Sequence, residues 1–267
     1  DADIIVMCGV HFMGETSKIL CPDKKVLVPD IEATCSLAES CPADKFAEFV
    51  AQHPDHTVIS YVNTTAATKA VTDIVVTSSN AREIVESLPQ DTPIIFGPDR
   101  NLGGYINSIT GRNMLLWDGA CHVHSQFSVG SLIDMKKQYP NAAVLAHPEC
   151  KEVILKLADV IGSTAALLSY AKKSEKQQFI VVTESGILHE MQKSCPDKVF
   201  IPALPEAIDG KTTCSCNECN YMRLNTLEKV YNCLRYEYPQ IEVDAEIAAK
   251  AIKPIERMLQ LSDKLVK

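Results

Sequence analysis

The sequence predicts an α/β protein built from repeated parallel-sheet units, and three observations in its 267 residues carry that expectation. Short aliphatic runs that read as buried strands alternate with helix-period segments along the chain. One strand-loop-helix-strand segment occurs twice at a fixed spacing. Cysteines fall at the same place in successive copies.

Taken in order, VMCGVHFMGET from Val6 runs a strand through a glycine turn into a helix, and IIFGPDRNLGG from Ile94 and IVVTESGILHE from Ile180 repeat the pattern. KKVLVPDIEATC (Lys24 to Cys35) and RNMLLWDGAC (Arg112 to Cys121) each take a short strand into a loop ending in cysteine. VISYVNTTAATKAVTDIVVTSSNA from Val58 and VLAHPECKEVILKLADVIGSTAA from Val144 are the repeated segment. Tyr61 matches His147, Asn63 matches Glu149, Asp73 matches Asp159, Ser78 matches Thr164 and Cys35 matches Cys121, always 86 residues apart. A third half-unit leads from the strand Val199 to Pro202 into Cys214, Cys216 and Cys219. NTLEKVYNCL then places Asn225 and Glu228 at N-cap and N3 spacing. A helical pattern continues towards the end, interrupted at Pro254. The first copy has no counterpart of Tyr61, so a strand, loop and helix are expected ahead of Asp1.

The net charge of −8 excludes the basic footprint of nucleic-acid or anionic-membrane binding. No apolar run approaches the ~20 residues of a membrane span, and no signal peptide opens the chain, so a cytoplasmic location is expected. Eleven cysteines, an odd number in a chain of this length, do not read as a disulfide framework.

Loops at the carboxyl ends of parallel strands face ligands. Three such units about a pseudo-threefold would bring Cys35, Cys121 and one of the last three cysteines to one centre. Thiolates from distant parts of a chain suit an iron–sulfur cluster or zinc. Three ligands instead of four leave one iron open to act as a Lewis acid. A local zinc site of Cys121, His122 and His124 is the competing reading. TSSNAREIVESL and GSTAALLSYAKK put Ser78, Ser163 and Thr164 before helices, where an anion such as phosphate is welcome and where plain capping is the alternative. The matched loops offer Tyr61, Asn63, His147 and Glu149 to bind a carboxylate and move protons, with His124 as a substrate-facing or hydrogen-bonding residue.

Across essentially the whole chain, GVHFMGETSKIL, VPDIEATCSLA, YVNTTA, TSSNA, FGPDRNLG, WDGACHVH, AHPEC, GSTAALL, TESGILHEM and YMRLNTLEKVY resemble the motifs of the quinolinate synthase family of NAD biosynthesis. The resemblance implies condensation of iminoaspartate with dihydroxyacetone phosphate to quinolinate, with loss of phosphate and water. It implies three similar three-layer αβα domains with parallel sheets, pseudo-threefold about a [4Fe–4S] cluster. Those domains are drawn here as 1–40 with 223–267, 41–124 and 125–222. By motif the ligands are Cys35, Cys121 and Cys219; Cys214 and Cys216 are bystanders or a redox pair, and Cys150 is a neighbour. Tyr61 and Asn63 bind substrate, His147 and Glu149 bind it and assist proton transfer, and Ser78, Ser163 and Thr164 hold the phosphate. The family's N-terminal loop, with a further serine and a His-x-Tyr, is expected to be missing from this chain, leaving it poorly active. Functional coupling to an L-aspartate oxidase also follows from the resemblance. The competing functions are an iron–sulfur redox or oxygen-sensing module without catalysis and an iron–sulfur hydro-lyase.

Overall fold

A computed structural model describes residues 2–205 and 217–265, so Cys214 and Cys216 lie outside the described residues. The chain forms two units, residues 1–119 with 220–267 and residues 120–219. Among the described residues are three parallel sheets flanked by helices, the α/β class that the alternating pattern predicts.

The first unit opens with β1 (Ile4–Val6), α1 (His11–Leu20) and β2 (Lys25–Leu27), β1 and β2 pairing in parallel. Short helices α2 (Ser36–Glu39) and α3 (Ala43–Ala51) lead to a second sheet. Its elements are β3 (Thr57–Tyr61), α4 (Ala66–Lys69), β4 (Ile74–Val76), α5 (Ala81–Ser87), β5 (Ile94–Gly97), α6 (Arg100–Thr110) and β6 (Leu115–Leu116), with strand order β4-β3-β5-β6. Ile59, Ile74, Val76, Ile84 and Phe96 form its core. Asp99 starts α6 by accepting the N–H groups of Asn101 and Leu102, and Gly111 ends it at φ 67°, a left-handed conformation that suits glycine.

The second unit contains α7 (His122–Ser125), α8 (Val129–Gln138), β7 (Ala143–Ala146), α9 (Glu152–Leu155), β8 (Val160–Ile161), α10 (Thr164–Lys173), β9 (Gln178–Val182), α11 (Ile187–Ser194) and β10 (Val199–Pro202). Its strand order, β8-β7-β9-β10, is that of the second sheet of the first unit. The repeat extends to single hydrogen bonds. Asp73 accepts the N–H of Val58 at 2.8 Å, and Asp159, 86 residues on, accepts that of Val144 at 2.7 Å. Ile59 pairs with Ile74 and Leu145 with Val160 at the same offset.

The chain then returns to the first unit through α12 (Leu227–Tyr236) and α13 (Ala245–Leu265). Ile241 N–H donates to Val26 C=O and packs with Val26 and Val28, which extends the first sheet's core. Two sequence expectations need correction here. Thr226, not Asn225, caps α12, accepting the N–H of Lys229, because the Asn225 amide is used instead on the carbonyl oxygens of Gly9 and Met222. Helix α13 runs through Pro254 without interruption. Burial of Ala251 and Ile255 against Ile19, Ala66 and Val75 offsets the ~3 kcal/mol that an internal proline costs.

Candidate functional site

The chemistry-bearing residues of the second unit gather at the carboxyl ends of its strands. β7 ends at Ala146, and His147 to Cys150 follow in a buried turn closed by the N–H of Cys150 on the His147 carbonyl. β9 ends at Val182 and passes into Thr183 and Glu184. β6 ends at Leu116, and Cys121 takes the N-cap position of α7.

In this turn Glu149, 3 % exposed, is met by two imidazoles. Nδ1 of His124 lies 3.1 Å from its Oε2, and Nδ1 of His147 lies 3.6 Å from its Oε1. The two rings stack at 4.9 Å between centres. Thr183 Oγ1 lies 2.9 Å from Nε2 of His124. If that nitrogen donates, Nδ1 presents a lone pair to the carboxylate, and it makes no hydrogen bond among the described residues. Two basic atoms this close in a buried site are compatible only with a proton or another cation between them.

A cation has the donors it needs. Cys121 Sγ, His124 nitrogen and Glu149 oxygen lie within 4.8 Å of one another, a soft, an intermediate and a hard donor that suit iron or zinc. His122 is not in this group, so the local set differs from the Cys121, His122 and His124 trio. The Cys219 N–H donates to Glu184 Oε1 at 3.2 Å, and Asn217 is buried, with its carbonyl oxygen accepting the Ser185 N–H. Cys35, Cys121 and Cys219 are each half-buried, whereas Cys41, Cys150, Cys195 and Cys233 are buried. Burial pushes the Cys41 thiol up to about 12, out of the thiolate range.

His147 is held neutral. Burial pushes its imidazole down to about 4, against the upward pull of Glu149, and His124 pushes it further down. Its Nδ1 accepts the Glu149 backbone N–H at 3.4 Å, which places the ring proton on Nε2. A neutral, desolvated imidazole of this kind is a weak base at neutral pH and offers its Nε2–H as a hydrogen-bond donor. The shift also has a stability consequence. Between pH 6.5 and 4 the unfolded chain binds a proton at this position and the folded chain does not, so stability falls as pH is lowered through this window. The loss reaches on the order of 3 kcal/mol at its acid end. Urea unfolding at pH 7, 5.5 and 4.5 checks it: the wild type should lose more stability on acidification than His147→Gln, and equal losses would contradict a neutral buried His147.

The phosphate-site residues separate. Ser163, 6 % exposed, caps α10 by accepting the Ala166 N–H at 3.3 Å, which leaves its own O–H to donate to an anion. Thr164 is exposed at the first position of that helix. Ser78 does not adjoin its helix: α5 begins at Ala81, with Asn80 at the cap position and Ser78 in the turn before it. Asn80 Oδ1 takes the Thr77 N–H at 2.7 Å, and that local closure delays the helix start.

Tyr61 ends β3, buried in its sheet's core, and Asn63 is half-buried in the turn that follows. Beside this turn lies Lys69, which sequence reasoning passed over. Burial pushes its ammonium down to about 7, while the Glu15 carboxylate and the Cys35 sulfur pull it back up. Thr183 and Glu184 were likewise given no role. The available signal was their place one and two residues beyond a strand in TESGILHE.

The family model described as NadA, Quinolinate synthetase A protein, matches residues 1–260. The chain is 58 % identical over 262 residues to the quinolinate synthase of Thermosynechococcus vestitus, covering 98 % of this chain and 81 % of the relative. It is 57 % identical to that of Chloroherpeton thalassium, covering 98 % and 80 %, and 55 % identical over 263 residues to that of Cyanophora paradoxa, covering 98 % and 78 %.

Proposed function

The chain belongs to the quinolinate synthetase A family, an enzyme family of NAD biosynthesis, and on that premise we propose that it condenses iminoaspartate with dihydroxyacetone phosphate to quinolinate, releasing phosphate and water. The observation that carries this reading is the constellation of half-buried Cys121 with buried His124, His147 and Glu149. We assign Cys35, Cys121 and Cys219 as the ligands of a [4Fe–4S] cluster. The repeat register of Cys35 and Cys121 supports the assignment, and all three are half-buried, as Cys21 also is. When bound, a cluster with three protein ligands supplies an iron able to polarise a hydroxyl or carboxylate.

The protein's own groups carry the rest. Ser163 donates its hydroxyl to the phosphate at the amino end of α10, with Thr164 and Ser78 as further hydroxyl contacts, and the departing charge is stabilised there. Glu149 and His147 form the proton-transfer pair. The carboxylate, flanked by two imidazoles, accepts a proton from carbon or nitrogen and passes it to Nδ1 of His147 as Nε2–H is given to a departing hydroxyl, which leaves as water while the ring stays neutral. His124, fixed by Thr183, holds the second face of Glu149 and contacts substrate. Tyr61 and Asn63 bind the substrate through hydroxyl and amide. The chain divides into three domains, residues 1–40 with 223–267, 41–124 and 125–222. Iminoaspartate has to come from an oxidation of aspartate, so coupling to an L-aspartate oxidase in the cytoplasm is part of the proposal too. No described helix is long and apolar enough to cross a membrane.

The test is anaerobic purification, iron and sulfide analysis, a visible spectrum, and assay of quinolinate from the two substrates. About four irons per chain with product supports the reading. Zinc with no chromophore and no product overturns it.

A further inference from the structure

Lys69, the last residue of α4, is a charged side chain with no exposed surface. Its Nζ donates to the carbonyl oxygens of Val62 at 2.8 Å and Thr64 at 2.5 Å, and it lies 5.4 Å from the centre of the Phe12 ring. The repeat supplies an internal control. Leu155, 86 residues on and the last residue of α9, holds the same position and is buried. The architecture therefore accepts leucine here, and nothing in building the helix calls for an ammonium that loses its hydration on folding.

The two loops differ in a second respect. Glu149 is preceded by Pro148, whose ring fixes its own φ and limits the turn. Asn63, the matching residue, is preceded by Val62, which carries no such restraint. The two carbonyl groups that Lys69 holds are those on either side of Asn63. Glu15 secures the far end of the loop, its Oε2 accepting the Ala66 N–H at 3.0 Å where α4 begins.

We propose that Lys69 is a positioning residue: by tying the carbonyls of Val62 and Thr64 to one ammonium it holds Asn63 in the conformation that meets substrate. The buried cation does for this loop what the proline ring does for its repeat partner. The assignment rests on Asn63 as a substrate contact, and its test is built so that the two ideas can fail separately.

Three measurements on the intact chain decide it. Lys69→Leu, which copies Leu155, should unfold cooperatively within a few degrees of wild type. Amide hydrogen exchange in the segment from Tyr61 to Ala66 should speed up by about tenfold or more, while the segment from His147 to Glu152 is unchanged. In quinolinate formation, Lys69→Leu should lower kcat/KM by about tenfold or more, and on an Asn63→Ala background the further loss should shrink to about threefold or less. Unchanged exchange overturns the tether. Additive losses overturn the route through Asn63. If Lys69→Leu and Lys69→Met both fail to fold, the claim that the architecture does not need the lysine is wrong. If the wild type makes no quinolinate, the proposed function fails, and the exchange result still upholds or overturns the tether.

Discussion

Cys219→Ser is expected to yield a folded, nearly colourless protein, with iron content falling towards zero and quinolinate formation reduced ~1000-fold or more, since several kcal/mol of charge stabilisation at about 1.4 kcal/mol per decade goes with the metal. Cys219 is half-buried, and its backbone N–H is fixed on Glu184 while Asn217 is anchored on Ser185. The proposed ligand thus lies in a segment already held in place. Serine preserves the shape and removes the soft donor that iron requires. Cys150→Ser is the control. That thiol is fully buried and points its S–H at the Val182 carbonyl, so its loss should leave the spectrum and iron content unaltered. A coloured Cys219→Ser protein, or a colourless Cys150→Ser protein, would reassign the ligands. Circular dichroism on both variants separates loss of cluster from loss of fold.

His147→Ala should give the opposite pattern, with the brown chromophore kept and turnover lowered by about 100-fold or more, the usual range for a lost general acid or base. His147 is 5 % exposed, neutral at working pH and in contact with Glu149, so its removal takes away the proposed proton carrier and none of the proposed cluster ligands. Truncating a buried ring also leaves a cavity and costs about 1–3 kcal/mol of stability. Unfolding must therefore be recorded beside kcat, and the variant assayed below its transition. His147→Gln keeps most of the volume and should be nearly as inactive. Retained turnover in both variants would move the proton chemistry to His124 and Glu149.

The acid sensitivity of stability and the exchange behaviour of the loop at Asn63 are smaller effects, but they probe residues in the cluster-free chain. They can be measured before any metal is loaded.

Periodicity carried most of the fold in the sequence. Strands alternate with helices because apolar spacing is a nearest-neighbour property, and the 86-residue offset survives because each copy makes the same local bonds, down to Asp73 on Val58 and Asp159 on Val144. The same offset singled out His147 and Glu149, by matching their loop to Tyr61 and Asn63. Residues whose roles depend on partners remote in the chain were less legible. Asn225 has the right spacing for a cap and spends its amide on Gly9 instead. Pro254 reads as a break, and packing of its neighbours on Ile19 and Val75 keeps the helix whole.

The sequence by itself determined the α/β class, the repeat, and the residue types gathered after the strands. Only the tertiary structure decided that Thr183 meets His124, that Glu149 sits between two imidazoles, and that Lys69 is buried where its copy has leucine. The physical reason is that strand and helix patterns are written in local spacing. The state of a buried charge is fixed by which groups, brought from far along the chain, replace its water.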